Sequence, residues 1–125
     1  MSGALLPSLI SIIDDDESMR LALACLVRSF GFKVNLYESA EEFLTSAEAE
    51  RSCCIISDIH MPGLSGIDLK RRLDHTADET PVILITGRSE TWLHAKARAS
   101  GAVCLLRKPF EADTLLECLK QARVL

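Results

Sequence analysis

The sequence predicts a single α/β domain built around a doubly wound, five-stranded parallel sheet. Short apolar runs alternate with amphipathic runs along all 125 residues, which is a (βα)5 pattern. The apolar runs lack the alternation of half-exposed strands, so both of their faces should be covered by helices. The length fits one ordinary domain, and the 48% of hydrophobic residues is enough to fill its core.

Two strand–helix units are predicted in the first part of the chain. Residues 9–13 are apolar and end at acidic residues, as expected of a strand. An amphipathic helix follows, and Gly31 stands where its C-terminal cap belongs. Residues 33–37 form the second predicted strand. Ser39 followed by Glu42 has the form of a capping box and should begin the second helix.

Three further strands are predicted at residues 53–57, 82–85 and 103–106. A loop with Pro62 and two glycines follows the first of these, and a helix over residues 67–73 comes next. Ser89 is expected to cap the fourth helix, which should stop at Gly101. An amphipathic helix with regularly spaced leucines ends the domain.

The hydrophobic runs, net charge and cysteine content also limit the functions that the chain can have. Residues 1–8 are predicted to be a short N-terminal tail without the features of a signal peptide, and residues 9–125 the domain itself. No apolar run approaches the ~20 residues of a membrane helix, and the net charge of −4 disfavours direct nucleic-acid binding. The five cysteines match no zinc signature and are expected to be free thiols in a reducing cytoplasm.

Polar residues follow the predicted strands at the ends where parallel-sheet proteins bind ligands. Three aspartates, beginning at Asp14, come after strand 1, and Asp58 comes after strand 3. Thr86 ends strand 4, and Lys108 follows strand 5. In the flavodoxin-like strand order 2-1-3-4-5 these side chains converge on one end of the sheet.

The convergent charges predict a metal-assisted phosphoryl-transfer site. Carboxylates as close as Asp14, Asp15 and Asp58 raise each other's pKa unless a cation lies between them. Carboxylate oxygens are ligands that Mg²⁺ prefers, and Lys108 adds a fixed positive charge on the other side. Phosphoryl transfer depends mostly on positioning and on neutralising oxygen charge, and the Thr86 hydroxyl can donate to a phosphoryl oxygen.

Over nearly its whole length the sequence resembles the receiver domains of two-component response regulators, the CheY-like superfamily, and most closely its FixJ-like branch. The resemblance implies a switch that takes a phosphoryl group onto Asp58 and controls an output such as transcription. The segments that carry the resemblance are Ile-Ile-Asp-Asp-Asp at 12–16, Ser-Asp-Ile-His-Met-Pro-Gly at 57–63, Ser-Gly-Ile-Asp-Leu at 65–69, Leu-Ile-Thr-Gly at 84–87 and Lys-Pro-Phe at 108–110.

The resemblance also implies the ligands of the metal. Asp15 would bind Mg²⁺ directly, Asp14 through water, and Asp58 through its carboxylate. His60 stands where the family uses a backbone carbonyl as a ligand, so its imidazole is given no role. The pair is read as Asp14 and Asp15, rather than Asp15 and Asp16, from the alignment of the preceding isoleucines with the end of the family's first strand.

Further roles concern the phosphoryl group and the switch. The resemblance implies that Thr86 contacts the group, that Lys108 pairs with it, and that the Lys108–Pro109 bond is cis. Leu105 replaces the Tyr or Phe usual in the family at that position. His60 and Arg88 occupy the two positions at which relatives tune the lifetime of the phosphoryl group.

Partners follow from the same resemblance. A sensor histidine kinase would supply the phosphoryl group, and phosphorylation would drive homodimerisation through helix 4, strand 5 and helix 5. FixJ-like proteins usually carry a helix-turn-helix DNA-binding domain after the receiver, so such an output domain is expected outside this chain. The receiver itself should contact neither membrane nor nucleic acid.

Three alternatives remain at this point. A haloacid-dehalogenase-type phosphatase would use Asp14 as its nucleophile in an Asp-x-Asp motif, but it needs an acidic pair after Lys108 and leaves Asp58 without a role. A flavodoxin would need a hydroxyl-rich phosphate loop where three aspartates stand. A degenerate receiver is disfavoured because every position of the motif set is filled.

Overall fold

The computed structural model describes residues 8–125, and residues 1–7 of the predicted tail lie outside the described residues. Strands and helices alternate as predicted, with one short 3₁₀ helix, Ala49–Arg51, that the sequence pattern did not indicate. The elements are Leu9–Ile13 (β1), Glu17–Ser29 (α1), Lys33–Tyr37 (β2), Ala40–Leu44 (α2), Cys54–Asp58 (β3), Gly66–His75 (α3), Val82–Thr86 (β4), Thr91–Ala99 (α4), Cys104–Arg107 (β5) and Ala112–Gln121 (α5).

The five strands are parallel and lie in the order β2-β1-β3-β4-β5, which confirms the predicted fold class. Every residue of β3 and β4 is buried, as expected of strands covered on both faces. Within residues 8–125, no helix is both long enough and apolar enough to cross a bilayer.

A hydrophobic core lies on each face of the sheet. Because side chains alternate along a strand, Ile56 joins the core under α1 and α5, whereas its neighbour Ile55 joins the core under α2, α3 and α4. The two cores hold the strands in fixed register. The carboxyl ends of β1, β3 and β4 therefore meet at one edge of the sheet.

Helix termini show where the sequence predictions succeed and fail. Gly31 lies just after α1 with φ +99°, as its predicted capping position requires. The predicted box at α2 is only half formed, because the Ser39 hydroxyl accepts from the Glu42 N–H while the Glu42 carboxylate accepts from the Glu38 N–H. The prediction for Ser89 is wrong, since Glu90 occupies the N-cap of α4 and makes no side-chain capping bond.

The cysteine prediction is also wrong in part. Cys104 and Cys118 are joined by a disulfide, whereas Cys25, Cys53 and Cys54 are free. β5 and α5 bring the two Cα atoms to 5.8 Å although they are 14 residues apart in the chain. That proximity depends on which faces of β5 and α5 meet, and no local sequence pattern records it.

Candidate functional site

The sheet brings the predicted site residues to one edge. Asp58 is the last residue of β3, and Asp14 follows β1 directly, one residue beyond the pairing of Ile13 with Ser57. The β4–β5 ladder extends past its last pair, since the Lys108 N–H donates to the Thr86 carbonyl at 2.8 Å. Lys108 is thereby fixed beside the end of β4.

Three carboxylates form a cluster at this edge. One oxygen from each of Asp14, Asp15 and Asp58 lies within 4.8 Å of the other two. Asp14 is fully buried, Asp58 is 6% exposed, and Asp15 is open to solvent. Apart from the Lys108 ammonium at 3.5 Å, Oδ2 of Asp14 has no hydrogen-bonding partner within residues 8–125. An oxygen-only donor set with a buried, unsatisfied carboxylate oxygen fits a hard divalent cation.

Ionisation of the Asp14 and Asp58 carboxyl groups is disfavoured in the folded protein. Burial raises the pKa of Asp58 to about 6; the ammonium of Lys108 opposes this rise, and the charges of Asp14 and Asp15 add to it. Burial also raises the pKa of Asp14, although the Asp16 N–H donates to its Oδ1 at 2.9 Å. Added positive charge would therefore stabilise this pocket in its ionised form.

Lys108 supplies part of that positive charge. Its Nζ lies 3.5 Å from Asp14 Oδ2 and 3.8 Å from Asp58 Oδ2, so one ammonium serves both carboxylates. The Lys108–Pro109 peptide bond is cis, as predicted. The ammonium is thus close enough to Asp58 to pair with a group attached there.

Thr86 is fully buried, and its hydroxyl is already engaged on two sides. The Arg88 N–H donates to Thr86 Oγ1 at 3.0 Å, and His60 Nε2 shares a hydrogen bond with the same oxygen at 3.1 Å. Burial is the main cause that lowers the pKa of His60, which favours the neutral imidazole. Sequence reasoning missed this contact, although pairing of Asp58 with Ile85 places His60 near the end of β4.

Two further side chains support the site and were also missed. Arg20 is a buried cation on α1 whose Nη1 donates to the Asp14 carbonyl at 2.7 Å, which fixes the backbone of the acidic turn. Glu41 on α2 accepts from the Leu64 N–H at 3.0 Å and thereby ties down the loop after Asp58. For Arg20 the available signal was a charge at an apolar position of an amphipathic helix.

Comparisons with known proteins agree with the geometry of the site. The chain matches the model of the response regulator receiver domain family over residues 10–120. It is 39% identical to the transcriptional regulatory protein FixJ of Bradyrhizobium diazoefficiens over 113 residues, which cover 90% of this chain and 55% of that protein. It is 37% identical to the response regulator protein TodT of Pseudomonas putida over 115 residues, covering 92% and 51%. The chain therefore spans about half the length of these relatives.

Comparison with solved structures also finds receiver domains. The FixJ-N crystal structure superposes with a TM-score of 0.84 at 30% identity, covering 96% of this chain and 97% of that one. The beryllofluoride-activated DrrB receiver domain superposes with a TM-score of 0.84 at 27% identity, covering 94% and 98%. These findings do not favour the phosphatase alternative. The chain belongs to the receiver domain family of two-component response regulators.

Proposed function

We propose that this domain accepts a phosphoryl group on Asp58 from the phosphohistidine of a sensor histidine kinase, in a reaction that requires Mg²⁺. The observation that carries the proposal is the place of the Asp58 carboxylate. It lies within one acidic cluster with Asp14 and Asp15, and 3.8 Å from the Lys108 ammonium. A carboxylate between a cation-binding pocket and a fixed ammonium is suited to receive a dianionic group.

The transfer step follows from this placement. An oxygen of ionised Asp58 attacks phosphorus, the new P–O bond forms, and the P–N bond to the kinase histidine breaks. Lys108 pairs with a phosphoryl oxygen as charge accumulates there. The carboxylates of Asp15 and Asp58 and the His60 backbone carbonyl would hold Mg²⁺, with Asp14 acting through water, and the bound ion would supply positive charge to the phosphoryl oxygens. Asp14 and Asp15 are thereby relieved of their mutual repulsion.

Thr86 would then signal that the group is present. Its hydroxyl has one proton, so in the tautomer whose Nε2 accepts that proton, donation to a phosphoryl oxygen breaks the bond to His60. That change would move the end of β4 and the loop that begins at Gly87. The domain would act as a switch rather than as an enzyme with sustained turnover.

The larger assembly is part of the same proposal. We place the receiver at residues 9–125, after a short tail at 1–8, in a cytoplasmic protein that contacts neither membrane nor nucleic acid through this domain. The relatives are about twice as long, and one is named a transcriptional regulatory protein. These lengths and that name support an output domain, which we propose lies C-terminal to the receiver and binds DNA. Phosphorylation-dependent homodimerisation through α4, β5 and α5 is a further part of the proposal.

Phosphorylation with acetyl phosphate and Mg²⁺, followed by intact mass measurement, tests the acceptor. One phosphoryl adduct is expected on the wild-type chain and none on Asp58→Asn, while the exposed-site control Asp113→Asn should match wild type. An adduct that persists in Asp58→Asn would refute the assignment. Incubation with p-nitrophenyl phosphate should give no sustained turnover, because the phosphatase alternative alone predicts it.

A further inference from the structure

The disulfide between Cys104 and Cys118 joins β5 to α5 next to the surface proposed for dimerisation. Its Cα atoms are 5.8 Å apart, within the range that an unstrained backbone allows. Cys104 is half-buried, and its sulfur lies 3.5 Å from Oε1 of the exposed Gln121. Cys118 is 2% exposed and packs in the core beside Leu115 and Leu119. One sulfur is thus reachable from solvent and the other is sheltered.

The other cysteines are unsuited to the same chemistry. Burial raises the pKa of Cys54 to about 12, and burial also raises that of Cys53, so neither readily forms the reactive thiolate. Cys25 is exposed on α1 and has no disulfide partner within residues 8–125. The pair at β5 and α5 is therefore distinct among the five cysteines.

We propose that Cys104 and Cys118 form a reversible thiol–disulfide modification site that exchanges with low-molecular-weight disulfides of the glutathione class. In the reducing compartment assigned above to this protein, disulfides are generally transient and redox-sensing rather than structural. The inference rests on the proposed location and not on phosphorylation.

The exchange balances in two steps. The Cys104 thiolate attacks one sulfur of the small disulfide, a mixed disulfide forms, and one small thiolate leaves and takes up the Cys104 proton. The Cys118 thiol then loses its proton and attacks the Cys104 sulfur, which releases the second small thiol. Two protein thiols are oxidised and one small disulfide is reduced to two thiols. Excess small thiol reverses both steps.

Oxidation has a mechanical consequence. β5 leads directly into Lys108, and its residue Arg107 pairs with Thr86 of β4. A covalent bond from Cys104 to Cys118 fixes α5 against this strand, whereas in the reduced pair that bond is absent and the helix is held by non-covalent contacts. The redox state would thus set how freely α5 moves on β5.

Equilibration of the 125-residue chain in glutathione buffers of graded redox poise tests the site, with acid quenching, alkylation and peptide mapping. The titratable thiols in denaturant should fall from five to three, and a Cys104–Cys118 linked peptide should appear and vanish again on reduction. Cys25→Ser should retain the linked peptide. Failure of the pair to form, or oxidation through Cys25 instead, would overturn the proposal.

Two single variants examine the order of attack. Peptide mapping should find one glutathione on Cys104 in Cys118→Ser, whereas in Cys104→Ser it should find none on Cys118 because that residue is buried. Equal labelling of both variants would contradict the proposed mechanism. Amide hydrogen exchange in α5 should slow on oxidation of the wild-type chain and stay unchanged in the double serine variant. Equal exchange in the oxidised and reduced wild type would overturn the mechanical consequence, and none of these outcomes bears on phosphorylation of Asp58.

Discussion

At the scale of single residues, the site is an arrangement of groups that are costly to keep charged. Asp58 and Asp14 are both buried, and each has a raised pKa. A carboxylate that is destabilised in the resting fold gains more from a bound cation than a solvated one does. The acidic pocket therefore lowers the stability of the metal-free fold and, for the same reason, raises the affinity for a bound cation.

The first prediction concerns stability without metal. The pKa of Asp58 rises from an ordinary value of 3.8 to about 6 on folding, so the folded state binds the proton more tightly and loses stability as pH rises through this window. Asp58→Asn removes the charge and should raise the unfolding free energy at pH 7.5 by about 1–3 kcal/mol. Urea denaturation with EDTA measures the change.

The sign of this effect can be checked by pH and by metal. The gain from Asp58→Asn should shrink at pH 5, where most of the wild-type carboxyl is protonated in the fold. Mg²⁺ should stabilise the wild type more than the variant, and so reduce the difference. A variant less stable than wild type at pH 7.5 without metal would contradict the assigned cost of the charge.

The second prediction separates two adjacent aspartates. Asp15 belongs to the acidic cluster, whereas the Asp16 carboxylate caps α1 by accepting from the N–H groups of Ser18 and Met19. Asp15→Ala should lower Mg²⁺ affinity at least tenfold and leave stability nearly unchanged. Asp16→Ala should preserve affinity and cost about 1 kcal/mol of stability through the lost cap.

Mg²⁺ titration followed by NMR shifts and urea denaturation of the same variants would measure the two effects separately. Equal losses of affinity in the two variants would place the metal pair at Asp15 and Asp16 instead. Unchanged stability in Asp16→Ala would show that the Asp16 cap contributes nothing.

At the scale of elements, the start of α3 packs unusually close to Asp58, the proposed acceptor. A Cβ on Gly66 would lie 2.6 Å from the Asp58 carbonyl oxygen and 3.0 Å from Leu84 Cδ2. The Gly66 N–H also donates to the Ile59 carbonyl at 3.2 Å. The helix is thus seated directly against the backbone that carries Asp58, and only glycine fits at the contact.

The third prediction follows from this contact. Gly66→Ala should lower the unfolding free energy by about 1–3 kcal/mol, because backbone must shift to admit the methyl group. Its control is Gly87→Ala, where an added Cβ meets no heavy atom within 4 Å, and where a change within about 0.5 kcal/mol is expected. Urea denaturation of both variants measures the two changes in unfolding free energy. Equal losses would show that the close approach to Asp58 is not what constrains residue 66.

The helices and strands also show which features of the structure could be predicted from the sequence. Strand order was predictable because strands that are apolar on both faces must lie in a parallel sheet between helices, and few strand orders are common in such sheets. The location of the site was predictable because the polar residues follow the carboxyl ends of the strands. Strand ends were off by one residue, since Asp58 and Thr86 look like polar terminators but still belong to the hydrogen-bonded ladder. The disulfide and the His60–Thr86 bond depend on facing surfaces and side-chain rotamers, which no local pattern records.

At the scale of the whole molecule, β4 and β5 connect the site to the face formed by α4, β5 and α5. Thr86 is fully buried at the end of β4, and its carbonyl accepts from the Lys108 N–H. Leu105 pairs in register with Leu84 and is only partly buried against the core under α2, α3 and α4. A switch moves only by the free-energy difference that its ligand sees between two states, so the residue in contact with the ligand should dominate.

The last prediction therefore assigns the conformational change mainly to Thr86 and the loop at residues 87–90. Leu105 has no hydroxyl to rebond and less area to bury than the aromatic residue usual there, so it should contribute little. Leu105→Ala should retain the phosphorylation yield and most of the beryllofluoride-induced NMR shifts in this loop, and Thr86→Ala should lose most of those shifts. Thr86→Ser keeps the hydroxyl and should restore them. If Leu105→Ala abolished the induced change while Thr86→Ala left it intact, the switch would run through β5 rather than through the Thr86 hydroxyl.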